Sequence, residues 1–198
     1  MRVAVIGTGP IGGTLGRAFA RGGHQVVFGS RHPEGSSAAG DTGATVASAE
    51  AAVKGSEVVV LALPGTAVDE FLDAFGPLLA DRLVVDATNR ITAKAPNGLE
   101  SLRDKAPGAR YARAFSSLGL ENFENPLYDG VPADLFFSSE VDDRDLVEQL
   151  VTAVGLRPVY LGAGQEGTVD GLLRLYFALA VEQGHGRHLA FRMLTDPA

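Results

Sequence analysis

The sequence predicts an α/β fold, a doubly wound, mostly parallel sheet with a short helical segment toward its C-terminal end, and three observations predict it. Short β-branched runs alternate with stretches of helical periodicity, the pattern that places a parallel sheet between two layers of helices. A length of 198 residues with 45% hydrophobic and 21% charged side chains suits one soluble domain with a core large enough to stand alone. Glycine, at 25 residues, is close to double its usual share and indicates many tight turns and close backbone approaches.

In chain order, strand-like runs lie at 3–6, 24–28, 57–63, 82–86, 109–115, 134–138 and 157–161. Ile11, Leu15 and Phe19 recur at helical spacing after the first run. Residues 33–43, PEGSSAAGDTG, are small, polar and glycine-rich, and predict a flexible loop where another such fold would place a helix. Thr66-Ala67-Val68-Asp69 predicts a helix start, with Thr66 as cap and Asp69 favoured in the first turn. Leu146, Leu150 and Val154 form a second stripe, begun near Asp142 or Asp143 and stopped by Gly155. The segment GLLRLYFALAVEQG, residues 171–184, is apolar nearly all round and predicts a helix buried against the sheet or in a dimer contact. Residues 1–198 therefore read as one domain without internal repeats, with 163–198 as a small helical appendage.

The net charge of −7 argues against nucleic acid or an anionic membrane as the main partner. With no cysteine, disulfides, thiolate metal sites and cysteine nucleophiles are excluded. The N-terminus passes directly into Arg2-Val3-Ala4-Val5-Ile6 without a secretory leader, so a cytoplasmic location is expected. The longest apolar stretches, 58–64 and 175–181, fall far short of the roughly 20 residues of a membrane span.

Directly after the first run, Gly7-Thr8-Gly9-Pro10-Ile11-Gly12 matches G-x-G-x-x-G and opens the first helix. Gly7 permits the tight turn, Gly9 lets the backbone approach a pyrophosphate, and Gly12 allows close helix–strand contact, while the helix N-terminus offers N–H groups to the anion. The expectation is a Rossmann-like dinucleotide site. About 20 residues on, an NAD-type strand ends in Asp or Glu, which holds the ribose hydroxyls; here it ends Gly29-Ser30-Arg31. A carboxylate would repel a 2′-phosphate, whereas the Ser30 hydroxyl donates to it and the Arg31 guanidinium grips it bidentately. The stretch therefore selects NADP(H), with His32 adding charge below its pKa.

With these residues and Leu61-Ala62-Leu63-Pro64 in hand, the chain resembles the coenzyme F420-dependent NADP oxidoreductase family. Further matches are Val85-Asp86-Ala87-Thr88-Asn89, Ala114-Phe115-Ser116-Ser117-Leu118-Gly119, Pro132-Ala133-Asp134 and Gly155-Leu156-Arg157-Pro158. The resemblance implies a Rossmann-like domain acting on NADP(H) and a deazaflavin, usually as a homodimer. It implies that Thr8, Gly9, Pro10 and Ile11 hold the pyrophosphate, that Ser30 and Arg31 hold the 2′-phosphate, and that Leu63 and Pro64 line the nicotinamide side. The chain departs from the family at His32-Pro33-Glu34-Gly35, where further basic residues often follow the Ser-Arg pair, and at Ala163-Gly164-Gln165-Glu166-Gly167.

Catalytic sets are sparse. No G-x-S-x-G or H-E-x-x-H is present; His185 and His188 read as surface residues rather than metal ligands, and Asp142, Asp143 and Asp145 as a charged helix start. Hydride transfer between two planar cofactors fits this sparseness, because the protein then supplies alignment and exclusion of water. The crevice beyond the strand ends is expected to gather Leu63-Pro64, Thr88-Asn89 and Ser116-Ser117. Asn89 and Ser116 are the candidates for orienting the nicotinamide carboxamide or the second ring. Residues 90–113 hold Arg90, Lys94, Arg103, Lys105, Arg110 and Arg113 against Glu100 and Asp104, a basic segment that would steer the anionic tail of coenzyme F420. The alternatives are reduction of another small acceptor (flavin, ferric iron or quinone) and a non-catalytic NADP(H) sensor. A β-hydroxyacid dehydrogenase or imine reductase would need a larger helical substrate domain.

Overall fold

The computed structural model describes residues 1–34, 36–91 and 93–196; Gly35, within the expected loop and the family departure, Thr92, within the basic segment, and the last two residues lie outside the described residues. Val3, Ala4, Val5 and Ile6 are all buried because strand β1 (Arg2–Ile6) runs through the middle of the sheet, parallel to β2 (Gln25–Ser30) on one side and β4 (Val58–Leu61) on the other. Helix α1 (Pro10–Arg21) joins β1 to β2. Beyond β2 lies the edge strand β3 (Thr45–Ser48), followed by α2 (Ala49–Lys54). On the other side, α3 (Val68–Phe75) leads to β5 (Leu83–Asp86), and α4 (Leu99–Lys105) leads to β6 (Arg110–Arg113). Helix α5 (Leu120–Glu124) and a small antiparallel hairpin, β7 (Leu127–Tyr128) with β8 (Val131–Pro132), precede β9 (Asp134–Ser139). Helix α6 (Arg144–Ala153), β10 (Arg157–Tyr160) and α7 (Glu166–Phe177) complete the chain.

The sheet order is β10-β9-β6-β5-β4-β1-β2-β3. Neighbours are parallel except β6 and β9, which are antiparallel. The chain winds outward from β1 in one direction through β2 and β3 and in the other through β4, β5 and β6, a Rossmann-like arrangement with its switch point between β1 and β4. Strand alternation divides the core: Val3, Val5, Phe28, Val58 and Val85 face α1 and α6, while Ala4, Ile6, Val59, Leu61 and Val84 face α2, α3 and α4.

Several local expectations change. Residues 45–54 form β3 and α2, which the pattern of small residues concealed; Ser48 caps α2 by accepting the Ala51 N–H at 3.2 Å. Thr66 caps nothing: Pro64 leads into a 3₁₀ turn, Gly65–Ala67, and α3 begins only at Val68, with Asp69 in its first turn as expected. The apolar stretch 171–184 is split between two elements: α7 buries one stripe, Val169, Asp170, Leu173 and Tyr176, and leaves Leu175 exposed, and a π-type turn over Ala178–Glu182 buries Ala180 and leaves Val181 exposed. Among the described residues no helix is long and apolar enough to cross a membrane.

Candidate functional site

Gly7 leaves β1 with φ +116°, and a Cβ there would collide with the Ala62 carbonyl at the end of β4. The turn and the close contact across the switch point thus both require glycine. Gly12 is held equally tightly against the Gly7 carbonyl, whereas a Cβ on Gly9 would meet nothing within 4 Å. Gly9 thus presents bare backbone to the solvent side. Pro10, at the first position of α1, gives up an N–H that has no helical partner, and the other N–H groups of that turn offer donors of the kind that suits an anion. Gly7, Thr8, Gly9 and Pro10 line a cleft of about 1260 Å³. Gly12 is buried in the helix–strand contact, and Ile11 packs against the core.

The same cleft receives Ser30, Arg31 and His32 from the end of β2. The Ser30 Oγ accepts the His32 N–H at 3.1 Å, which fixes the turn and leaves the hydroxyl proton to donate to a ligand. Arg31 and His32 are exposed. Leu63 and Pro64 form the opposite wall, with Phe71 and Phe75 of α3 beyond them, ring centroids 5.3 Å apart. Thr14 and Arg17 of α1, with Ser36, Ser37 and Ala38 of the loop after β2, close another side. These last residues carry no motif; only the spacing of Arg17 one turn after Gly13 hints at them.

Thr88, Asn89 and Ser116 lie outside the lining of that cleft, in and around a buried polar cluster at the ends of β5 and β6. Asp86 accepts the Thr88 N–H at 2.9 Å, the Thr88 hydroxyl at 2.6 Å, the Gly98 N–H at 2.7 Å and the Tyr111 hydroxyl at 2.8 Å. Four donors hold this carboxylate, so its burial is compensated. Burial, with Asp86 beside it, raises the Tyr111 phenol well above its ordinary value and keeps it a donor. Arg113, fully buried, donates to the Thr88 carbonyl at 2.6 Å, to the Asp86 carbonyl at 3.2 Å, to Asn89 Oδ1 at 2.9 Å and to Asp170 of α7 at 3.0 Å. Asn89 in turn donates to the Ser116 carbonyl at 2.9 Å. Both ends of its amide are thereby engaged, and the Thr88 hydroxyl is committed to Asp86.

Ser116 differs. Phe115, just before it, has φ +60°, a conformation costly for a bulky side chain, at about 1–3 kcal/mol. Edge-on contacts of Phe115 with Phe19 (5.8 Å) and Phe123 (6.0 Å) hold it there. The turn ends β6 and leaves the Ser116 Oγ buried without a hydrogen-bond partner.

Residues 2–90, which supply all of the cleft lining but Glu124, match the model of the family described as NADP oxidoreductase, coenzyme F420-dependent. This segment belongs to that family. Among solved structures, a candidate F420-dependent NADP reductase from Arthrobacter sp. FB24 is 21% identical, with 98% of this chain and 100% of that one covered and a TM-score of 0.83. A hypothetical protein from Sinorhizobium meliloti is 24% identical, with 99% and 96% covered and a TM-score of 0.72. A reductive aminase from Aspergillus terreus, solved with NADPH and ethyl-5-oxohexanoate, is 22% identical, with a TM-score of 0.71; 90% of this chain and only 60% of that one are covered. These likenesses show a shared fold, and the family match falls on the segment that supplies nearly all of the cleft lining.

The basic segment expected to serve an anionic second cofactor of this family is largely neutralised internally. Arg113 is sealed between Asp86 and Asp170, Arg110 is paired with Asp143, Arg90 reaches Asp69 at 3.0 Å and Lys105 reaches Asp73 at 2.7 Å. Charge in the sequence overstated charge on the surface; only Lys94 and Arg103 of the six are exposed outside any ion pair among the described residues. His185 and His188 are both exposed, and His188 stacks on Tyr128 at 4.4 Å. Among the described residues no group of three or more His, Asp and Glu is placed to hold a metal.

Proposed function

We propose that the chain is an oxidoreductase that passes a hydride directly between NADP(H) and the deazaflavin coenzyme F420. The observation that carries the NADP(H) half is the end of β2, where Ser30 and Arg31 stand in the cleft at the position from which a carboxylate would select NAD(H). The NADPH bound by the reductive aminase of similar fold supports the same half. The family of residues 2–90 supports the deazaflavin.

When bound, the nicotinamide and deazaflavin rings supply the chemistry, a two-electron hydride exchange accompanied by one solvent proton. The chain binds and orients. The first turn of α1 with Thr8 and Gly9 holds the pyrophosphate, Ser30 donates to the 2′-phosphate, and Arg31 neutralises it. Leu63 and Pro64 give the nicotinamide an apolar, water-poor wall. Asn89, whose amide is spent on Arg113 and the Ser116 carbonyl, positions the Ser116 backbone at the end of β6, while the Ser116 hydroxyl is buried outside the cleft lining. A homodimer, implied by the resemblance, belongs to the same reading.

One observation favours a second reading. Since Arg90, Lys105, Arg110 and Arg113 are satisfied by the protein's own carboxylates, less cationic surface is left for a polyanionic tail, and a flavin, quinone or ferric acceptor would not need it. Stopped-flow absorbance with reduced coenzyme F420 separates the two. Rapid deazaflavin oxidation with NADP⁺ and not with NAD⁺ is expected. Tight NADP⁺ binding without that reaction would discard the deazaflavin and leave another acceptor or a sensor.

A further inference from the structure

We propose that Arg17, on the second turn of α1, is a further specificity residue that grips the 2′-phosphate together with Arg31. The proposal rests on the NADP(H) reading of the cleft. Arg17 lines that cleft along with Ser30, Arg31, Ser36 and Ser37. Its guanidinium makes two long hydrogen bonds, from Nη1 to the Ala38 carbonyl at 3.3 Å and from Nη2 to the Thr14 hydroxyl at 3.4 Å. Both acceptors are neutral, and Arg17 forms no ion pair among the described residues. A five-donor cation is thus left with most of its capacity unspent inside a nucleotide cleft.

The sequence aims it there. Side chains of a helix lean toward its N-terminus, so Arg17 lies back over residue 13, one turn earlier on the same face. Residue 13 is glycine, and a Cβ on it would sit 2.9 Å from Arg17 Nη1. Gly40 leaves room on the other side, where a Cβ would come within 3.3 Å of Arg17 Cδ. Two glycines therefore form the channel in which the arginine lies, between α1 and the loop that follows β2.

Charge supplies the need for it. Glu34, Glu70 and Glu124 also line the cleft, and the chain carries −7 overall. A dianionic 2′-phosphate entering such a cleft needs more than one cation to offset the repulsion. Arg17 approaches from α1 and Arg31 from the end of β2, and the hydroxyls of Ser30, Ser36 and Ser37 stand nearby. Because the guanidinium also holds the Ala38 carbonyl, phosphate and loop are gathered by one side chain.

Calorimetric titration of the full chain with 2′,5′-ADP and with 5′-AMP isolates the 2′-phosphate. The wild type should prefer 2′,5′-ADP. Arg17→Met should weaken 2′,5′-ADP about tenfold or more while 5′-AMP stays within about twofold, and Arg17→Lys should recover part of the loss. Equal weakening of both probes would assign Arg17 to the other phosphates or to loop structure, and no weakening would make it a loop latch only; either result overturns the proposal. A wild type without preference for 2′,5′-ADP would instead bring down the NADP(H) reading itself, and the proposal with it.

Discussion

Arg31 stands exposed at the cleft, and Ser30 beside it has its acceptor side occupied by the His32 N–H. A hydrogen bond to a charged group contributes about 1.5–3 kcal/mol, so Arg31→Ala should weaken NADP⁺ about tenfold to a hundredfold and leave NAD⁺ nearly unchanged, as read by fluorescence titration. Asp143 makes a different residue-scale prediction. It is buried in the 3₁₀ turn Val141–Asp143, with one oxygen on Arg110 and the other unpartnered, and burial pushes its carboxyl above the ordinary value. On raising the pH, the unfolded chain therefore loses this proton before the folded one does, and stability present at acid pH is lost as the pH rises through the folded pKa. Asp143→Asn should consequently compare more favourably with the wild type at about pH 7 than at about pH 3, in urea unfolding at the two pH values. The sequence reads Asp143 as part of a charged helix start, because charged residues are seldom fully buried and its partner, Arg110, lies far away in the chain on β6.

Helix α7 shows what element-scale reading captures and what it misses. Its apolar composition was plain, and with it the expectation of a buried helix. Its anchor was not: Asp170, on the buried stripe, meets Arg113 at the end of β6 at 2.8 Å, and Asn97 donates to its second oxygen at 2.7 Å. Removing one member of a buried pair costs about 3–5 kcal/mol. Asp170→Ala should fall near the lower end, because Asp86 remains 3.4 Å from Arg113, and chemical denaturation measures it. Most strands were legible because β-branched runs buried on both faces have few alternatives. Strand β3 and helix α2 were not, since Thr45–Ser48 is short and half exposed and α2 has a run of alanines with little contrast between its faces. Arg17 is illegible for a related reason: the role proposed for it depends on the loop on the far side of β2, and only the bare Gly13 beneath it leaves a mark in the sequence.

For the whole molecule, the switch point between β1 and β4 fixes where the cleft lies, and the glycine turn and the Ser-Arg pair, legible in the sequence, both line it. Surface electrostatics was less legible, because ion pairing across elements removes charges that a count along the chain retains. With four of the six cations in residues 90–113 internally paired, the rate of deazaflavin reduction should fall only weakly between about 0.05 and 0.5 M salt, whereas a steep fall would show that a basic approach survives. The central claim is direct hydride transfer between the two cofactors. It is tested most directly with NADPH carrying deuterium at both C4 positions, incubated with the protein and oxidised coenzyme F420, the reduced deazaflavin then being analysed by mass spectrometry. The account predicts one deuterium on the product, retained in ordinary water. Turnover that yields an unlabelled deazaflavin, or NADPH bound in the cleft with no turnover, would contradict it.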